Sequence, residues 1–165
     1  MTVQPDSARF APPAEPSLSM GVIGNCAISA LVDARARIVW CCLPRFDGDP
    51  VFNALLQPGT GKGAPPTDTS PGAFAIEIED FAESRQFYDA NTAVLRTQLF
   101  DKSGHAIEVT DFAPRFYSHS RYFRPMMLVR RVRPIQGAPR IRVVLDVRFD
   151  WGLREPLITQ GSNHL

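Results

Sequence analysis

From Ile141 to Val147 the apolar side chains fall on every second residue. Ile141, Val143, Leu145 and Val147 lie on one face, and Arg142, Asp146 and Arg148, with Val144 among them, on the other. A repeat of two is the period of an extended strand with one apolar and one wet face. Phe74, Ile76 and Ile78 alternate in the same way with Ala75, Glu77 and Glu79. Further strand-like runs are Asn25–Val32, Ile38–Leu43, Arg85–Tyr88, Ala93–Phe100, His105–Phe112 and Met126–Val132, and another begins at Leu157–Gln160. Polar or glycine-bearing links separate them: Asp33–Arg37, Asp101–Gly104 and Pro134–Pro139. In the second of these, Gly104 is placed for a positive φ. Short strands with such links predict an all-β fold, an antiparallel two-sheet β-sandwich. Fifteen prolines and eleven glycines agree with many turns and few long helices. The one expected helix is a short piece of about two turns after Pro50.

A chain of 165 residues is one domain's worth of sequence. The first twenty residues hold four prolines and no continuous apolar run, so a disordered tail is expected over 1–20 and the sandwich over 21–165. A secretory leader needs about 7–15 consecutive apolar residues, and a membrane helix about 18. Neither pattern is found, so a cytoplasmic protein with no membrane partner is expected. Residues 57–72, rich in glycine and proline, read as a surface loop. Their Gly59–Gly63 segment lacks the spacing of a phosphate-binding loop.

Cys26, Cys41 and Cys42 do not make a disulfide framework. Buried free thiols are expected, with a bridge from Cys26 to Cys41 or Cys42 left open. His105, His119 and His164 have no ligand spacing, so no metal and no cofactor is expected. No Ser-His-Asp set is recognisable. Formal net charge is +1, which argues against a general polyanion binder. Arg121, Arg124, Arg130, Arg131, Arg133, Arg140 and Arg142 beside Tyr122 and Phe123 would suit RNA. No RNP-like aromatic motif accompanies them, so no nucleic-acid partner is expected.

The densest local signal is the corner Leu43–Pro50, with three charged side chains, one glycine, two prolines and Phe46. Together with Trp40 it marks Trp40, Pro44, Arg45, Phe46 and Asp47 as candidate interface or substrate-rim residues. Secondary candidates are Asp111, Arg148, Asp150 and Trp151. Arg45 and Arg148 each precede Phe-Asp, so an arginine–aspartate pair is expected to lock each corner. Trp40, Trp151, Tyr117, Tyr122 and Phe123 offer rings that stack on sugars or pack in an interface.

These residues resemble a family. Ile23-Gly24-Asn25, Val39–Asp47 and Phe52–Leu56, then Thr110–Pro114 and Val147–Gly152, are similar in order to motifs that open the N-terminal domain of glucoamylase-like and trehalase-like enzymes of glycoside hydrolase family 15. The resemblance implies a large two-sheet sandwich, here incomplete at its C-terminal end. It also implies a separate catalytic domain of α-helical hairpins in a toroid, on the same or a companion chain, that supplies two glutamates for inverting hydrolysis. On that basis no catalytic residue is expected here. An α-glucoside is expected at the domain interface, and the chain is expected to help shape the pocket. A free-standing sandwich that binds a carbohydrate or a protein is the alternative. An unfinished sandwich would also expose a sheet edge through which copies self-associate.

Overall fold

The computed structural model describes Phe10, residues 18–56, residues 72–162 and His164. Most of the expected tail, and residues 57–71 of the expected surface loop with its Gly59–Gly63 segment, lie outside the described residues. Twelve strands carry the described fold: β1 Gly21–Gly24, β2 Ser29–Val32, β3 Arg37–Cys42, β4 Pro50–Phe52, β5 Ala73–Ile78, β6 Phe81–Tyr88, β7 Leu95–Asp101, β8 Ala106–Phe112, β9 Phe116–Ser118, β10 Arg121–Phe123, β11 Val129–Gln136 and β12 Ile141–Asp146. The short helix expected after Pro50 is a single 3-10 turn, Ala54–Leu56, preceded by β4, and a second 3-10 turn covers Asp150–Gly152.

The strands form two antiparallel sheets packed face to face, so the fold is an all-β sandwich. One sheet runs β1-β2-β3-β5-β12, with β4 also paired to β3; the other runs β11-β8-β7-β6. A separate hairpin is made by β9 and β10. Ile23, Val32, Ile38 and Leu95 are buried in one cluster, and Ile76, Ile78, Leu99, Ile107 and Val109 in its neighbour, with Phe74 packed against both. The alternation in Ala73–Ile78 and Leu95–Asp101 is what supplies these inward rows.

Three expectations are corrected. The run Asn25–Val32 is a strand only from Ser29, because Asn25 turns the chain between β1 and β2. Leu157–Gln160 forms no strand. The link Pro134–Pro139 is not a hairpin: β11 runs on to Gln136 and pairs β8, while β12 pairs β5 in the other sheet. Where a glycine would ordinarily sit in the β2–β3 turn, Ala36 takes φ 58°. Asp33 Oδ1 holds that turn by accepting from the amides of Arg35 and Arg37, each at 2.9 Å.

The outer face of the four-stranded sheet explains the arginine-rich segment. Glu108 lies under Arg96, Gln98 and Arg133, whose side-chain nitrogens donate to it at 3.0, 3.2 and 3.0 Å. Arg142 donates to Glu77 at 2.6 Å in the other sheet. Arg130, Arg133 and Arg142 of that segment are thus each paired with a carboxylate on a neighbouring strand. Burial pushes the Glu108 carboxyl up, but the Gln98 and Arg133 hydrogen bonds and the Arg133 and Arg96 charges outweigh it and hold it below the usual carboxylate range. A carboxyl depressed by folding stabilises the fold above its unfolded pKa, and that share is lost as pH falls through the folded value. Urea midpoints are therefore expected to stay level above about pH 5 and to fall below about pH 4.3. Glu108→Gln should flatten that acid limb; an unchanged limb would refute the assignment.

Candidate functional site

The corner Leu43–Pro50 joins β3 to β4, so its base is fixed by their ladder and its tip projects. Arg45 forks onto Asp47, with Nε to Oδ1 and a terminal nitrogen to Oδ2 both at 2.9 Å, and Gly48 N donates to Arg45 O at 3.0 Å. The expected arginine–aspartate lock is present in this corner. The Arg45 hydrogen bond holds the Asp47 carboxyl below its ordinary range, although both side chains are exposed. Leu43–Pro44 is a cis peptide. Beneath the corner, burial first, then the charges of Asp49 and Asp47, raise the Cys42 thiol. Burial, with a smaller push from Cys42, takes Cys41 up to about 12. All three cysteines are free, so the bridge left open from Cys26 is not formed; Cys41 and Cys42 are buried as expected, but Cys26 is exposed.

Phe46 is 65% exposed and leans toward the β1–β2 turn, where it lines an open apolar hollow with Ile23, Cys26 and Ile28. Ser29 also lines it, and Arg115 donates to Cys26 Sγ at 3.3 Å.

The second Arg-Phe-Asp motif lies beside the first. Arg148 N donates to Val51 O of β4 at 3.0 Å. The ring of Trp151 meets that of Trp40 at a centroid distance of 6.2 Å, tilted by 50°. Two successive residues, Asp150 and Trp151, take left-handed φ of 50° and 59°. Such a pair is costly without glycine. Here the loop is closed by reciprocal backbone bonds between Phe149 and Arg154 at 2.9 and 3.1 Å and by the Asp150–Arg154 ion pair. The lock differs from the expected one: Arg148 pairs Asp146 at 2.9 Å and Glu155 at 3.1 Å, not Asp150. Trp40, Arg148, Asp150 and Trp151 thus gather around β3 and β4, with Pro44 to Asp47 protruding from their connection.

Asp111 stands apart, wholly buried between the sheets. Arg130 Nε donates to its Oδ1 at 2.8 Å and a terminal nitrogen to its Oδ2 at 3.0 Å. The remaining donors of that guanidinium reach Phe74 O and Ala36 O, both on the opposite sheet's side. The pair is an inter-sheet clasp, and the Thr-Asp-Phe motif is accounted for by it.

The sequence presents Asn25 only as part of the Ile-Gly-Asn motif, and Tyr117, Tyr122 and Phe123 only as rings; the hairpin β9–β10 that joins those rings is not among the expected elements. Asn25 is 2% exposed. Its Nδ2 donates to Pro114 O at 3.0 Å and Pro125 O at 2.8 Å, while its Oδ1 accepts from Ala27 N and Ile28 N at 3.0 and 3.2 Å. One amide therefore shapes its own turn and ties down both feet of the hairpin. On that hairpin Phe116 stacks on Phe123 at 5.5 Å, and Tyr117 meets Tyr122 at 5.1 Å, all four exposed. The Asn25 signal was an Ile-Gly-Asn run followed by small residues; the hairpin signal was the pair Pro114 and Pro125 around aromatics.

Among the described residues, no three potential metal ligands come together, and no helix is long and apolar enough to cross a membrane. The chain is 33% identical over 146 residues to Trehalase 1 of Sulfolobus acidocaldarius, covering 87% of this chain and 22% of that protein. It is 32% identical over 96 residues to the trehalase of Thermoplasma volcanium, covering 57% of this chain and 14% of that protein. The chain thus spans less than a quarter of the length of either relative. No family model and no solved structure matches it. The resemblance to trehalase-type enzymes drawn from its motifs is borne out by these two relatives.

Proposed function

We propose that this chain is a non-catalytic β-sandwich domain of a trehalase-like glycoside hydrolase of family 15 type. It packs on an α-helical toroid carried by the same or a companion chain and helps shape the pocket for an α-glucoside. The observation that carries the non-catalytic reading is the commitment of its motif aspartates to arginines. Asp111 is sealed on Arg130, Asp150 is paired with Arg154, and Asp47 is held by Arg45. Inverting hydrolysis needs a free acid and a free base, roughly 6.5–9.5 Å apart across a sugar. An ion-paired, depressed carboxyl such as Asp47 makes a poor proton donor. The similarity to two trehalases supports the hydrolase context, and two buried free thiols suit a reducing cytoplasm.

The corner and the Trp40–Trp151 pair are the surface this reading assigns to the rim. The isolated chain should release no glucose from trehalose, maltose or starch oligomers. In the longer polypeptide, Arg45→Ala should raise KM or lower kcat by about tenfold, the scale of one charge-assisted hydrogen bond. Its melting temperature should stay within about 2 °C, as for other exposed substitutions. Sugar release by the chain alone, or an Arg45→Ala effect confined to stability, would overturn the reading.

A further inference from the structure

The β9–β10 hairpin carries an exposed pair of rings on each of its faces. Its register sets Phe116 opposite Phe123, Tyr117 opposite Tyr122 and Ser118 opposite Arg121. Side chains alternate between faces along a strand, so the phenylalanines share one face and the tyrosines the other. All four rings are between 39% and 64% exposed. Among the described residues no other strand pairs with the hairpin. A lone two-stranded ribbon is marginal in water. This one is held at its root, where Asn25 Nδ2 donates to Pro114 O and Pro125 O. At its tip His119 and Ser120 take the two left-handed φ values of a tight turn. It is a preorganised arm, apolar on both faces.

The order of residues along the arm states what it fits. Arg115 and Arg124 flank the root, the rings fill the next two rungs, and Ser118 to Arg121 make the tip. No aspartate or glutamate occurs between Asp111 and Asp146. Arg130, Arg133 and Arg142 have carboxylate partners, but the arm's three arginines are set against none among the described residues. A membrane is a poor occupant, because the cationic tip would have to enter the apolar layer ahead of the rings. A sugar chain is a poor one too. Phe116 and Phe123 stack on each other at 13°, and the tyrosine rings are tilted by 60°, so neither pair lies side by side as a flat platform. The charge and the two apolar faces call for a protein cleft with apolar walls and carboxylates at its floor.

The arm also borders the corner. Arg115, which donates to Cys26 Sγ, has its guanidinium 5.3 Å from the centroid of the Tyr122 ring. Cys26 lines the same hollow as Phe46. A partner seated on the corner and the hollow thus has the arm at its border.

We infer that the β9–β10 hairpin is a docking arm that enters a cleft of the helical domain. Its rings meet apolar walls about 7 Å deep, two rungs at about 3.4 Å each, and Arg121 meets carboxylates at the floor. Aromatic and arginine side chains are the usual anchors of such contacts. An arm already ordered loses little freedom on binding. The identity of the partner rests on the hydrolase reading above; the chemistry of its cleft rests on the arm. The trehalase relatives have ample chain for such a partner, since the matched segment is 22% of one and 14% of the other.

A thiol at the tip tests this. In a Cys26→Ser background, with Cys41 and Cys42 buried, Ser118→Cys replaces one oxygen by sulfur and leaves the rings in place. Its modification by a small maleimide should be at least about tenfold slower in the longer polypeptide than in the 165-residue chain, as for a site reached only through opening. Arg121→Glu sets a like charge against the floor and should return the rate to within about threefold of the chain alone, whereas Arg121→Lys should not. Tyr117→Ala with Tyr122→Ala should restore labelling as well, through lost anchors. Glucoside cleavage by the longer polypeptide is read alongside. Equal labelling in a polypeptide that does cleave a glucoside would sink the arm and spare the hydrolase reading; a longer polypeptide with no glucoside-cleaving helical domain would sink both. Slow labelling that Arg121→Glu does not relieve would refute the acidic floor. Protection of the chain alone by maltoheptaose, or protection that grows with its own concentration from about 1 to 300 µM, would give the arm to a sugar or to a second copy and overturn the proposal.

Discussion

Asp111→Ala is expected to destabilise the fold by about 3–5 kcal/mol, the cost of leaving a buried charge without its partner. The Arg130 side chain is only 3% exposed, and without Asp111 it keeps two carbonyls as acceptors but no counter-charge. A single domain holds about 5–15 kcal/mol in all, so the loss would be a large share of the total. At about 2–4 °C per kcal/mol for a chain of this size, the melting temperature should drop by roughly 10 °C. Replacing both partners, Asp111→Leu with Arg130→Met, should recover much of the loss. Recovery stays incomplete because Phe74 O and Ala36 O then each lose the Arg130 donor. Chemical denaturation of the three variants checks this. A single variant within about 1 kcal/mol of the parent would show that water reaches the site and that the clasp is not buried.

The second large effect is expected at Asn25. Asn25→Ala removes two donors to the hairpin feet and one acceptor shared by two turn amides, at about 1 kcal/mol per lost bond, so about 2–4 kcal/mol in sum. The distribution of the loss is more telling than its size. Asn25→Asp keeps the acceptor that shapes the β1–β2 turn but sets a carboxylate against the carbonyls of Pro114 and Pro125. Amides of β9 and β10 should then exchange fast while those of β8 stay protected. Uniform acceleration across the sandwich would mean that Asn25 supports the whole fold rather than one arm.

Period-two patterning made the sheets readable before the structure. β5, β7, β8 and β12 lie within a residue or three of their expected bounds, because each carries apolar residues at alternate positions and has a marked turn beside it. The Arg45–Asp47 lock was readable because its partners sit two residues apart in a preset corner. What escaped was carried by long separations or by unusual turn residues. The β9–β10 turn places His119 and Ser120 at φ 49° and 59°, a geometry normally flagged by Asn-Gly or glycine. Asn25 meets Pro114 and Pro125 across 89 and 100 positions, and no local pattern announces such a contact. Arg130 looked like one of a row of surface charges, because only tertiary packing turns its side chain to Asp111. The β11–β12 link looked like a hairpin because nothing local distinguishes a return within one sheet from a crossing to the other.

That crossing has a consequence for how the protein is made. β5 emerges from the ribosome early, but the strand that pairs with it, β12, follows only after β6 to β11 have been made. At about 5–20 residues per second the nascent chain spends several seconds with Phe74, Ile76 and Ile78 unsheltered on that side. Those seconds are the interval in which a holding chaperone would have most to gain from this polypeptide.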